Sequence, residues 1–248
     1  MAVRRPLPGS VVVETFPYDD DRKVTVYVPG APPDAVIYAA DGQGTASWGA
    51  TVDRADLAST LIVGVHAAPD ETERLHEYSL GLAPAQFESH ETFFVEDVRR
   101  WVRGRWGTSL PRERTAVFGA SAGGELALAL GVRHPEVYGV VLCASPGAGY
   151  HPPHAMPPAL PRAYLVAGTR EPFFLEQAER WAQALQTAGA EVRMVRRAGS
   201  HGGAFWRNEF PHMVRWAFGS PVGSRGGELY RSRKRVRGPP REDAKFPG

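Results

Sequence analysis

Along this chain, short and almost uniformly apolar runs alternate with longer segments in which apolar residues recur every three or four positions. Val11-Val12-Val13-Glu14-Thr15-Phe16 and Lys23-Val24-Thr25-Val26-Tyr27-Val28 read as strands, and the turn-rich Tyr18-Asp19-Asp20-Asp21 between them predicts an antiparallel hairpin. After Pro29-Gly30-Ala31-Pro32-Pro33 breaks the pattern, Ala35–Ala40 and Leu61–His66 have the continuous apolar character of strands buried on both faces. Phe94, Val98, Trp101 and Val102 then follow the i, i+4, i+7, i+8 spacing of a core-facing helix. Thr115–Ala120 runs as a strand into a nearly all-apolar helix. Tyr138–Cys143 and Ala163–Ala167 are further strands, and Phe174, Ala178, Trp181 and Leu185 mark the next helix. Glu191–Val195 alternates as the last strand, before a glycine-rich loop and a closing helix with Met213, Val214 and Ala217. Repeated strand–helix units after an antiparallel pair predict an α/β fold. Its mostly parallel sheet would have about eight strands, with helices on both faces. The proline-rich stretch His151–Pro161 is too short for a cap domain, so an open site is expected.

Composition sharpens this only in part. A chain of 248 residues with 43% hydrophobic content can bury one sizeable core. The single cysteine, Cys143, excludes an intrachain disulfide and favours a reducing compartment. Met1-Ala2-Val3-Arg4-Arg5-Pro6 lacks the apolar stretch of a signal peptide, and no run is long enough to span a bilayer, so a cytoplasmic protein without a membrane partner is expected. The net charge of +2 is uneven. From Pro221 onward eight basic residues face three acidic ones, so the positive excess belongs to the tail. The chain accordingly divides into a catalytic domain over residues 1–220 and a basic, disordered tail over 221–248. The tail's Arg231–Arg237 run is of a kind that can contact nucleic acid, but with no aromatic platform beside it the reading is a solvated tail, and no nucleic-acid partner is expected.

The candidate chemistry lies mid-chain. Gly119-Ala120-Ser121-Ala122-Gly123 joins the apolar strand to the apolar helix, the strand–turn–helix setting of a nucleophile elbow. Such a turn strains the serine backbone and needs small residues two before and two after it, here Gly119 and Gly123. The following helix points free N–H groups and its positive dipole end toward the hydroxyl. An elbow of this kind takes its partners in the order serine, acid, histidine. His201, just after the last predicted strand, is the histidine in the right place. No aspartate lies between Ser121 and His201, and among the glutamates Glu171 is the one at a strand's end; Glu136, Glu176, Glu179 and Glu191 fall before strands or within the helix. His201 would take the Ser121 proton, Glu171 would hold the imidazole, and Ala122 N–H with the Gly42-Gln43 loop would supply the oxyanion hole. The partial fingerprint Gly42-x-Gly44-x-x-Ser47 lacks its last glycine, and no helix is predicted to open there, so a dinucleotide is not expected.

The chain resembles the "Putative esterase" family of α/β hydrolases, which contains ferric enterochelin esterases, S-formylglutathione hydrolase and mycolyltransferases. The matching pieces are Tyr38–Gln43, Arg74-Leu75-His76-Glu77-Tyr78, Gly119–Gly124, His134-Pro135-Glu136, Ala167–Glu171, and Ser200-His201 with Trp206-Arg207. Asp41-Gly42-Gln43 and the Arg-x-x-Glu-Tyr pattern look most like the enterochelin-esterase branch. The resemblance implies an α/β-hydrolase fold without a cap domain. It also implies Arg74 near the mouth, where it would meet an anionic substrate or pair with Glu73 or Glu77, and Trp206 at the substrate. Gly202-Gly203 depart from the family's Asp-Trp pair and remove an aromatic wall.

The expected function is hydrolysis of a small-molecule carboxylic ester through a Ser-His-Glu triad and an acyl-enzyme, with no metal and no organic cofactor. An acyltransferase or thioesterase on the same fold, and a non-catalytic binding member, are the alternatives. Substrate identity and oligomeric state stay open.

Overall fold

A computed structural model describes residues 9–219 apart from 20 and 56. The tail from 221 and its boundary with the catalytic domain lie outside those residues.

Among the described residues, eight strands form one sheet in the order β1-β2-β4-β3-β5-β6-β7-β8. They are β1 (Ser10–Phe16), β2 (Arg22–Val28), β3 (Ala35–Ala39), β4 (Thr60–Val65), β5 (Thr115–Ala120), β6 (Val140–Ala144), β7 (Arg162–Gly168) and β8 (Val192–Arg197). The β1–β2 hairpin and the β2–β4 pair are antiparallel, and every later pairing is parallel. The central strands look uniformly apolar because both their faces are covered. In β3, Val36 and Tyr38 enter one core layer while Ala35, Ile37 and Ala39 enter the other. In β6, Val141 and Cys143 face the first layer, and Val140, Leu142 and Ala144 the second.

Among the described residues, seven α-helices cover the sheet: α1 (Thr45–Arg54), α2 (Glu71–Tyr78), α3 (Pro84–Thr92), α4 (Arg99–Trp106), α5 (Ala122–Arg133), α6 (Pro172–Thr187) and α7 (Gly203–Phe218). The first layer takes Phe87 of α3, Val102 of α4, Leu126 and Leu130 of α5, and Trp181 of α6. The second takes Val52 of α1 with Phe210, Met213 and Val214 of α7. Between α3 and α4 the chain winds as a π-helix over Phe93–Val98, which aims Phe93, Phe94 and Val98 into the core together.

Helix α1 is a correction to the sequence reading. Its Thr, Gly and Val residues are weak helix formers, and tertiary packing overrides them. Gly49 lets the helix lie on the Tyr27 ring, since a β-carbon there would stand 2.0 Å from the ring.

The strand order places the site. From β3 the chain runs to β4 on one side, and from β5 it runs to β6 on the other, so the connections leaving these two neighbouring strands part in opposite directions. A crevice outside the strand ends is the expected ligand position in such a sheet. Residues 145–161 contain no helix or strand that could form a cap over it.

Candidate active site

The candidate groups lie just past the carboxyl ends of β3, β5, β6, β7 and β8. After β5, Ser121 sits at φ 57°, ψ −128°, the strained conformation of an elbow. Close packing explains the flanking glycines. A β-carbon on Gly119 would stand 1.8 Å from the Gly123 carbonyl oxygen, and one on Gly123 would stand 2.9 Å from Asp41 Oδ2. Ala122 opens α5, so its N–H has no carbonyl partner within the helix.

After β8, the loop through Gly199 and Gly202 carries His201. Its Nε2 accepts from the Ser121 hydroxyl at 3.1 Å, and its Nδ1 donates to Glu171 Oε2 at 2.7 Å. Glu171 follows β7 and immediately precedes α6. Its side chain is 2% exposed and that of His201 30%, so the acid is sealed from water while the imidazole stays reachable. The other oxygen, Glu171 Oε1, accepts from the Gly168 N–H and from the Ser145 hydroxyl, the latter at 2.7 Å.

Ser145, at the end of β6, is a group the sequence reading missed. It is fully buried at φ 48°. Its oxygen accepts from the Trp206 indole N–H at 3.0 Å. The Trp206 ring meets His201 edge-on at 4.9 Å between centroids. Its N–H is therefore committed to the protein. Phe174 was also missed in its role. The helical spacing put it with the core residues of α6, but in the first turn it stacks on His201 at 3.7 Å and an interplanar angle of 20°. This ring provides an aromatic wall that Gly202 and Gly203 do not.

After β3, Asp41 turns through φ 53° into a 3₁₀ turn over Gly42–Gly44. Gly42 lies so close to β4 that a β-carbon would stand 2.1 Å from the Gly64 oxygen. Gln43 is exposed, and its side-chain oxygen accepts from Ala67 N–H at 3.4 Å. Because β3 and β5 are paired and Ala40 N–H donates to the Phe118 carbonyl at 3.0 Å, this turn sits beside the elbow. Arg74 is paired, but not with Glu73 or Glu77. Its guanidinium forks onto Asp41 at 2.7 and 3.0 Å and reaches Glu71 at 2.9 Å. Glu77 instead holds Arg22. His66 ends β4 with Nε2 2.7 Å from the Thr25 hydroxyl, away from the Ser121 chain of hydrogen bonds. Burial, with the Lys23 and Arg22 charges, pushes its pKa down. Among the described residues no cluster of three or more His, Cys, Asp or Glu side chains could hold a metal ion.

A three-layer α/β sandwich with a strained serine at the β5–α5 turn defines the α/β-hydrolase class. Within it, the chain belongs to the "Putative esterase" family, whose model matches residues 17–156. A search of curated protein sequences gives no match. Solved structures agree in fold. The enterobactin esterase of Shigella flexneri superposes with a TM-score of 0.68 at 20% identity, over 85% of this chain and 59% of that one. A ferulic acid esterase of Anaeromyces mucronatus gives 0.63 at 14% identity, over 85% and 90%. The S-formylglutathione hydrolase of Staphylococcus aureus gives 0.63 at 11% identity, over 86% and 98%. The chain thus spans about three-fifths of the Shigella enzyme's length.

Proposed function

We propose that this protein is a serine esterase that hydrolyses carboxylic esters through Ser121, His201 and Glu171. The observation that carries the reading is the unbroken chain of hydrogen bonds from the Ser121 hydroxyl through His201 to the buried Glu171. As Ser121 Oγ attacks the acyl carbonyl, its proton passes to His201 Nε2, and the imidazolium is stabilised by Glu171 at Nδ1. The backbone N–H groups of Ala122 and Gln43 receive the negative charge on the carbonyl oxygen. The same Nε2 proton then moves to the departing alkoxide, leaving an acyl-enzyme. Water that gives its proton to His201 releases the acid and restores Ser121.

Family membership supports ester chemistry, and the three structural relatives bear the names of an enterobactin esterase, a ferulic acid esterase and an S-formylglutathione hydrolase. The Asp41-Gly42-Gln43 and Arg74-x-x-Glu77-Tyr78 pieces resemble the first of these, so an enterobactin-type ester is one member of the substrate panel.

The test is labelling with a fluorophosphonate probe followed by peptide mass spectrometry, with heat-denatured protein as control. The expected adduct is on Ser121 and is lost in His201→Ala. Absence of an adduct on folded protein would overturn the reading in favour of a non-catalytic member. Product analysis with added alcohols, and oxyester against thioester turnover, separate hydrolysis from acyl transfer and from thioester specialisation.

A further inference from the structure

Helix α2 directs Arg74, Glu77 and Tyr78, at i, i+3 and i+4, toward the sheet. Between them they hold two anchors, Arg22 and Asp41. Glu77 takes both terminal nitrogens of Arg22 on β2, at 2.9 and 2.8 Å, in a buried pair. Arg74 grips the two Asp41 oxygens at 2.7 and 3.0 Å. The Tyr78 hydroxyl, wholly buried, accepts from the Asp41 N–H at 3.1 Å. Asp41 needs such holding. It is a non-glycine residue at φ 53°, a conformation that L-residues disfavour, and it directly precedes Gly42-Gln43. Its Oδ2 also lies against Gly123 of the elbow.

We infer that Arg74 and Tyr78 are positioning residues: they lock Asp41 in its left-handed turn and so fix the Gln43 N–H at the oxyanion position beside Ser121. This inference rests on the serine-esterase reading. It also reassigns Arg74, which the resemblance placed against an anionic substrate. With its fork on Asp41 and its remaining terminal nitrogen on Glu71, the guanidinium already faces two carboxylates, which commit three of its N–H groups and offset its charge toward a third anion. Glu77 is the fixed end of the clamp, tying α2 to β2 so that a pull on Asp41 is resisted by the sheet.

The experiment compares the full-length wild type with Arg74→Met, which keeps the aliphatic stem, and Tyr78→Phe, which removes one oxygen. Two readouts are used: the rate of fluorophosphonate labelling at Ser121, and steady-state kinetics on p-nitrophenyl butyrate and on the carboxylate-bearing p-nitrophenyl hydrogen succinate. Arg74→Met is expected to lower kcat and the labelling rate roughly 10- to 100-fold, less than outright loss of an oxyanion donor. The fall should be equal for both esters, with KM within about twofold. Tyr78→Phe should give a smaller loss of the same kind, and it decides the matter alone if Arg74→Met does not fold. A KM increase confined to the succinate ester, with kcat intact, would overturn the inference and restore Arg74 as a substrate contact. Unchanged kcat and labelling in both variants would also overturn it while Ser121 remained the labelled nucleophile. Failure of Ser121 to label in the wild type would instead overturn the underlying esterase reading, and the clamp's purpose with it.

Discussion

The Trp206 indole N–H donates to the Ser145 hydroxyl at 3.0 Å, and that hydroxyl in turn donates its hydrogen bond to Glu171 Oε1 at 2.7 Å. A hydroxyl has one proton to give, so the direction of this relay is fixed once the indole, a donor only, is its first member. Trp206→Phe keeps the ring and removes the N–H. It is expected to lower kcat roughly fivefold to twentyfold, the scale of one lost buried hydrogen bond, with little change in KM. Ser145→Ala should cost more, because Glu171 loses a donor and the indole N–H is left without an acceptor. Steady-state kinetics on one ester check both; a pure KM effect in Trp206→Phe would return the indole to substrate binding.

Removing either proton-transfer partner should be far more severe. Ser121→Ala and His201→Ala are each expected to lower kcat by about 10⁴- to 10⁶-fold with thermal stability kept. Glu171→Gln, which keeps the shape but leaves the imidazolium without its counter-charge, should lose less than either and still orders of magnitude. An unchanged rate in Glu171→Gln would move the acid to another glutamate.

Gly119→Ala tests the elbow's packing. Its β-carbon would meet the Gly123 carbonyl oxygen at 1.8 Å, a backbone atom that cannot swing aside. Overpacking of this kind should destabilise the protein by about 1–3 kcal/mol or more, seen as a lower urea midpoint together with lost activity. In Gly123→Ala the obstacle at 2.9 Å is the Asp41 carboxylate, so activity should suffer more than stability.

The buried His90 makes stability depend on pH. Burial, helped by the Arg22 charge, pushes its pKa down to about 3, and neither ring nitrogen has a hydrogen-bond partner among the described residues. Glu77 lies 3.7 Å from Nδ1 but is taken by Arg22. An unfolded chain binds a proton at an ordinary histidine near pH 6.5, whereas the folded chain does not until near pH 3. This contribution is therefore complete above about pH 6.5 and drains as pH falls toward 3, by up to ~1.4 kcal/mol per pH unit. His90→Leu should flatten the wild-type dependence between about pH 6.5 and 4.5 in urea unfolding. Equal slopes in the two proteins would mean that His90 protonates inside the fold.

The sheet was legible because its strands are apolar blocks between glycine and proline breaks, and all eight were readable from residues such as Val36–Tyr38 and Val140–Cys143. The Ser121 turn, Glu171 and His201 were legible because each stands at a strand's carboxyl end, where chain order alone assigns a candidate role. Helix α1 was not, since its stability comes from contact with Tyr27 and not from its own residues. Ser145 carries no signal in sequence. Its part depends on a positive φ and on Trp206, 61 residues away. Phe174 fits the apolar spacing of α6, and nothing in a periodicity distinguishes a ring on the core from a ring on His201. Arg74 showed its charge but not its partner, because Asp41 lies 33 residues earlier on a different element.

Glu171, the residue just before α6, and Phe174 in its first turn both meet His201, one holding it by a ring nitrogen and the other covering its face. That turn is anchored further along by Ala178, Trp181 and Leu185 in the core, with the Trp181 indole on the Tyr150 carbonyl at 3.2 Å. The imidazole is thus held from two directions at the start of one helix. Glu171 keeps its own anchors on Gly168 and Ser145 if that helix shifts, whereas Phe174 moves with it, so a displaced α6 would uncover the face of the histidine while leaving its acid in place.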